Sequence, residues 1–204
     1  SVPAAPRYAG PYGRSAAVPA GPEIVVATFN LKLARRPDRA IEVIRATPSL
    51  RDADVLAMQE LDDHAADTLA RALGLNYVYY PGAIHPTDHK LFGPAVLSRW
   101  PIGRSEVAVL PREGAGARDD EGEERLCVFA DVDGPRGPIQ TYCAHLSWRG
   151  DHSGVRQEQV RAICEFVRAQ RPRPFPAVLL GDLNAEPDSD EIRIILICDV
   201  WNPR

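Results

Sequence analysis

The sequence predicts an α+β layered fold, with more than one sheet or a mixed one. Short β-branched runs and amphipathic stretches are interspersed without strict βα alternation. In the middle of the chain three strand candidates, "GPAVLSRWPI", "RLCVFADVD" and "IQTYCAHLSW", follow one another with no helix between them. That succession points to antiparallel pairing. The 204 residues suffice for one sizeable domain and are short for two.

The elements follow in order. Residues 1–22, "SVPAAPRYAGPYGRSAAVPAGP", are rich in Pro, Ala and Gly and lack apolar periodicity. They read as an extended arm or linker ahead of a domain over residues 23–204. "EIVVATFN" is a β-branched run ending at Asn30 and reads as a strand. "RPDRAIEVIRATP" has Pro37 in its first turn, Ala40, Ile41 and Ile44 on one face, and Pro48 as its stop. "ADVLAMQE" is a second apolar run, ending at Glu60. "DDHAADTLARALG" is helical: Asp62 or Asp63 caps it, Leu69, Ala72 and Leu73 share a face, and Gly74 ends it.

"NYVYYPG" is a strand with Tyr77 and Tyr79 on one face. Among the three central strands, "PREGAGARDDEGEER" is a charged loop and "DGPRGP" a turn. "GVRQEQVRAICEFVRAQ" is the clearest helix, with Val160, Ile163 and Val167 on one face. "RPRPFP" breaks it, and its dense arginines read as a solvated helix end. "AVLLGDLN" is the last clear strand, and "SDEIRIILI" starts a helix capped by Asp188 or Ser189.

Composition weighs against some classes without excluding nucleic acid, since an enzyme can concentrate positive charge in one cleft. No apolar run approaches the ~20 residues needed to span a bilayer. Net charge is −4, with lysine only at Lys32 and Lys90, so the chain lacks the basic balance of a dedicated nucleic-acid binder. Cys127, Cys143, Cys164 and Cys198 form no CxxC pair, which argues against zinc. They read as buried thiols in preference to disulfides. Ser1, where a Met would start a chain, fits a processed secretory signal and a later start equally.

Five polar groups stand at the ends of four apolar runs: Asn30, Glu60, His145, Asp182 and Asn184. Each has an ordinary explanation. Asn30 is a turn former, Glu60 a solvated acid, His145 a core histidine, and Asp182 with Asn184 an Asx-type turn. As a set of two carboxylates, two amides and an imidazole they suit a hard cation held by oxygens next to a phosphate. Strand ends in a layered fold converge on one rim.

The segments "ATFN", "AMQE", "GPAVLSRWPI", "CAHLSW" and "GDLNAEPDS", in this order, resemble the endonuclease/exonuclease/phosphatase (DNase I-like) superfamily from about Glu23 onward. "GDLNAEP" is the most specific of them. The resemblance implies a four-layer α/β/β/α sandwich and phosphoester hydrolysis with a divalent metal, Mg2+ or alternatively Mn2+. It implies Glu60 as principal metal ligand with Asn30 beside it, holding metal or phosphate. His145 would donate to a phosphoryl oxygen, Asp182 would orient the attacking water, and Asn184 would bind the phosphate. "PRYAGPYG" is similar to the segment ahead of the domain in some exported bacterial members, so export, to the periplasm or beyond, is expected over a cytoplasmic location.

There are departures. The family's later Asp and final Asp-His pair have no counterpart before Arg204, and the last strands of the second sheet are not accounted for. His89 and His152 follow Asp88 and Asp151 but come too early to take that role. Pro94 stands where many members have Asn. Among substrates, a small or lipid-derived phosphoester is favoured over duplex DNA, because the chain is acidic and shows no basic stripe. Trp148 could form an apolar lip, whereas Trp100, before Pro101, reads as structural. An endonuclease and a non-catalytic phosphate-binding relative are the alternatives. The sequence leaves oligomeric state open.

Overall fold

The computed structural model describes residues 7–13, 23–84, 90–112 and 124–201. Two mixed sheets stack face to face with helices on both outer faces. The first sheet contains β1 (Tyr8–Pro11), β2 (Val26–Asn30), β3 (Val55–Leu61), β4 (Asn76–Tyr79), β5 (Ala83–Ile84) and β6 (Leu91–Ser98). Its order is β1-β4-β6-β3-β2, with β5 pairing β6. The second contains β7 (Ile102–Val109), β8 (Leu126–Gly134), β9 (Gly137–His145) and β10 (Val178–Asp182), in the order β10-β9-β8-β7. The helices are α1 (Pro37–Ala46), α2 (Pro48–Arg51), α3 (Asp63–Leu73), α4 (Ser153–Arg168) and α5 (Asp190–Ile197).

Strand alternation builds the layers. Along β3, Leu56 and Met58 face one way and join Ala40, Ile41 and Ile44 of α1 and Leu69 and Ala70 of α3. Val55 and Ala57 face the other way, into the space between the sheets, where they meet Val128, Ala130 and Cys143. The second sheet repeats the device. Cys127, Phe129, Tyr142 and Ala144 turn outward against Val160, Ile163 and Val167 of α4. A period of two along each strand thus yields three apolar interfaces and four layers. Each fully buried Leu or Phe removed from water contributes roughly 1.5–3 kcal/mol.

α1, α3 and α4 end where the sequence says they should, whereas the short α2 was not foreseen. Asp62 accepts from Ala65 N at 2.7 Å as the N-cap of α3, and Gly74 closes it in the left-handed region at φ 66°. Ser189 is the N-cap residue of α5 but makes no side-chain cap bond. No helix among the described residues is long and apolar enough to cross a membrane.

Four further findings differ from the sequence reading. Within the supposed arm, Tyr8–Pro11 pairs antiparallel with β4, so this part of residues 1–22 belongs to the first sheet. Its tyrosines do the work that periodicity failed to signal: Tyr8 packs on Tyr79, and Tyr12 stacks on Tyr77. Second, β7 was unassigned, because its Gly, Arg, Ser and Glu mask a strand that lies at a sheet edge. Third, Cys164 and Cys198 are disulfide-bonded across α4 and the end of α5, while Cys127 and Cys143 are free and buried. Fourth, the arginines after α4 are not merely solvated: Arg173 pairs with the buried Asp131. Asp88 and His89, and most of the charged loop before β8, lie outside the described residues.

Two strand pairs are parallel, β2 with β3 and β10 with β9. Each therefore ends at the same rim as its partner. In β10, Gly181 has φ 144°, and a Cβ there would lie 2.0 Å from the Ala144 carbonyl oxygen. Only glycine permits that approach. Gly181→Ala is expected to destabilise the fold by more than about 1 kcal/mol and to displace Asp182. Urea unfolding of the pair of proteins measures the first effect.

Candidate active site

The rim is built from both sheets. In the first, β3 carries a register shift between Met58 and Leu61. Glu60 sits in that bulge with φ 60°, a left-handed conformation that a non-glycine residue adopts at a cost. A bulge re-aims a side chain that regular pleating would point elsewhere. Here Gln59 is buried beneath the site, accepting from Thr28 Oγ1 at 3.2 Å and donating to Cys143 Sγ at 3.3 Å, while Glu60 is left half-buried at the rim. Asn30, at the end of β2, lies opposite Gln59 in the parallel register.

In the second sheet the parallel register sets Asp182 opposite His145. Leu146 N donates to the Asp182 carbonyl at 2.9 Å and continues the ladder past the strand end. Asn184, also left-handed at φ 46°, returns over the strand. Its backbone N–H donates to Asp182 Oδ1 at 3.1 Å, and its side-chain amide donates to the Leu146 carbonyl at 3.1 Å. The Asx turn expected from "GDLN" is therefore present, and it fastens Asn184 beside His145.

The two halves meet at one nitrogen. Asn30 Nδ2 donates to Glu60 Oε1 at 3.0 Å and to Asp182 Oδ2 at 2.9 Å. His145 Nε2 lies 3.9 Å from each of those same carboxylate oxygens. All five residues singled out in the sequence thus stand together, although Asn30 and Asp182 are 152 positions apart. Burial pushes the His145 pKa down to about 4, the positive charge of Arg125 adds to this, and Asp182 opposes it. At neutral pH the imidazole is uncharged and retains one N–H to donate.

Glu60 and Asp182 offer hard oxygen donors with Asn30 between them. Their chemistry fits a divalent cation such as Mg2+ or Mn2+. Among the described residues no group of three or more His, Cys, Asp or Glu side chains is arranged to hold a metal by itself.

A cleft of about 890 Å³ opens beside the cluster, lined by Asn30, Asp182 and Asn184 together with Arg156 and Glu191. The last two were not foreseen. Arg156 Nε donates to Glu191 Oε1 at 2.9 Å, joining α4 to α5, with the side chains only 8% and 2% exposed. Arg156 Nη1 also donates to the carbonyls of Ser147, at 3.2 Å, and Arg149, at 2.6 Å. Gln159 holds Ser147 N at 3.0 Å, and Ser147 Oγ shares a 2.7 Å bond with His152 Nδ1. The turn after His145 is therefore clamped from beneath, and His152 belongs to the clamp. The sequence signal was a cationic and an amide side chain three positions apart on the buried face of an amphipathic helix.

The profile of the Endonuclease/Exonuclease/phosphatase family matches residues 27–203. A search of curated protein sequences gives no match. Among solved structures, the chain is similar to an endonuclease/exonuclease/phosphatase from Beutenbergia cavernae, with 24% identity over 83% of this chain and 51% of that one, TM-score 0.62. It is also similar to sphingomyelinase C from Streptomyces griseocarneus, with 22% identity, coverage of 85% and 68%, and TM-score 0.59. A mannosyl-6-phosphatase from Bacteroides thetaiotaomicron gives 21% identity, coverage of 85% and 70%, and TM-score 0.64. The chain spans about half the length of the Beutenbergia protein. At these identities the likenesses show the fold.

Two outcomes follow from the geometry. His145 titrates at about 4 in the fold and near 6.5 when unfolded, so between those values the unfolded chain binds more protons. Acidification through that window should cost up to about 1.4 kcal/mol of stability per pH unit. His145→Gln should flatten the curve, read from urea midpoints with EDTA present. Arg156→Met should cost about 3–5 kcal/mol by stranding the buried Glu191 carboxylate, and Glu191→Gln should cost less, measured in the same way.

Proposed function

The chain belongs to the endonuclease/exonuclease/phosphatase family, and from that membership and its cleft we propose that it hydrolyses phosphoester bonds with a divalent cation, Mg2+ or Mn2+. One observation carries this reading: carboxylates from two sheets converge on Asn30 Nδ2 beside a neutral His145. Two carboxylates facing an anionic phosphoester would repel it, which is why the reading includes a cation.

Glu60 would be its principal protein ligand, with Asn30 adjacent. When bound, the cation draws negative charge from a non-bridging phosphoryl oxygen. Asp182 has lone pairs left after its bonds to Asn30 and Asn184, and these orient the attacking water and accept its proton. The water oxygen bonds to phosphorus as the ester P–O bond breaks, and the leaving oxygen takes a proton from solvent. His145 Nε2–H and the second amide proton of Asn184 donate to the non-bridging oxygens, most strongly as charge gathers there. The clamp on Ser147 keeps Leu146 and hence Asn184 in register.

A small or lipid-derived phosphoester suits the net charge of −4 better than duplex DNA. Trp148, 55% exposed on the turn after His145, supplies an apolar lip. The Cys164–Cys198 disulfide supports an oxidising compartment, hence export.

The full-length protein is expected to hydrolyse bis-p-nitrophenyl phosphate with Mg2+ or Mn2+. Asp182→Asn should lower turnover roughly 10²-fold or more without unfolding the protein. Glu60→Gln should abolish the heat of Mg2+ binding in isothermal titration. Equal binding by wild type and Glu60→Gln would remove Glu60 from the metal site.

A further inference from the structure

The turn between β2 and α1, "LKLARRP", carries Lys32, Arg35 and Arg36, all exposed. Some surface arginines neutralise themselves locally, whereas Arg45, Arg161, Arg168 and Arg171 are exposed with no ion pair among the described residues. Arg39, Arg51, Arg71, Arg104 and Arg193 each pair with an acid within four positions. The turn gathers three cations, unpaired among the described residues, next to Asn30. No Asp or Glu lies between Asn30 and Asp38, and among the described residues the three cationic side chains have no ion pair or hydrogen bond.

The position of this turn is fixed by the site itself. Lys32 N donates to Asn30 Oδ1 at 2.9 Å, and Leu33 N donates to Glu60 Oε2 at 2.8 Å. Leu31 N is tied to the Gln59 carbonyl at 3.0 Å, and Ala34 packs on the helix-side core. Lys32, Leu33 and Ala34 all have positive φ, at 50°, 63° and 51°. The backbone is thus held tightly against the two site residues, while the charged ends of three side chains stand in solvent. Three uncompensated cations there oppose folding by mutual repulsion and offer nothing to the core. On a turn tied to Asn30 and Glu60, they are available to negative charge on a ligand bound beside those residues.

Resting on the hydrolase reading above, we propose that Lys32, Arg35 and Arg36 form a subsite for a second phosphate on the substrate, next to the scissile one. The chain then prefers phosphoesters carrying an extra negative charge near the reacting group. That phosphate can come from a nucleotide or from a lipid headgroup, since the chemistry of recognition is the same.

The test uses two matched esters, thymidine 5′-(p-nitrophenyl phosphate) with either a 3′-hydroxyl or a 3′-phosphate. The wild-type full-length protein should show a KM about tenfold lower for the 3′-phosphorylated ester, and the difference should shrink with added NaCl. The triple variant Lys32→Gln, Arg35→Gln, Arg36→Gln should lose the preference while kcat on the 3′-hydroxyl ester stays within about twofold. No preference in the wild type, or an unchanged preference in the variant, would overturn the subsite. If neither ester is hydrolysed, the hydrolase reading fails, and titration with thymidine 3′,5′-bisphosphate against thymidine 5′-monophosphate still decides the subsite. Tighter binding of the bisphosphate that the variant loses supports it, and equal binding overturns it. Competition by a thymidine tetranucleotide against competition by vesicles of cardiolipin, a lipid with two phosphates, identifies the source of the phosphate.

Discussion

Asn30 donates from one nitrogen to carboxylates on two different sheets, Glu60 on the first and Asp182 on the second. Those carboxylates repel each other, and the amide offsets part of that repulsion only while both strand ends stay within its reach. The reach is set by the packing between the sheets, where Val55, Ala57, Val78 and Val96 meet Val128, Ala130 and Cys143. The site is therefore the polar rim of that inner core, and a change in sheet spacing would separate its two anionic members before it disturbed either sheet.

Regular secondary structure alone would not aim these side chains. Glu60 and Asn184 are left-handed, and Gly181 has a φ closed to other residues. Each lies one or two positions from a strand end whose ladder continues past the irregularity: Leu61 pairs with Gly93 beyond the bulge, and Leu146 bonds to Asp182 beyond His145. Strain of about 1–3 kcal/mol per such residue persists only where neighbouring pairing leaves the chain no alternative. The concentration of these residues at one rim is itself a functional signal, independent of residue type.

What could be read from sequence was whatever depends on local pattern. The apolar faces of α1, α3 and α4, the caps of α3 and the apolar strands ending at Asn30, Glu60 and Asp182 are all short-range features. That five polar groups at strand ends should meet was inferable because strand ends converge, whichever strands pair. The misses are long-range. β1 earns its place through Tyr8 on Tyr79, far along the chain, and no spacing among Pro, Ala and Gly foretells it. The Arg156–Glu191 pair joins residues 35 positions apart, and the Cys164–Cys198 disulfide joins residues 34 apart. Four isolated cysteines allow several pairings and also none, so composition could not choose among them.

The two remaining cysteines occupy opposite faces of the second sheet. Cys127 lies under the helices with Phe129 and Tyr142, and Cys143 lies between the sheets with Val128 and Val96. Burial raises both thiols, Cys127 well above its ordinary value and Cys143 to about 12. Thiolate is the reactive form, so a maleimide or an aromatic disulfide reagent has nothing to attack in the closed protein. Each sulfur then labels a different event. Modification of Cys127 records the lifting of α4 and α5, and modification of Cys143 records the parting of the two sheets. The molecule carries a built-in pair of chemical clocks for the order in which its layers come apart.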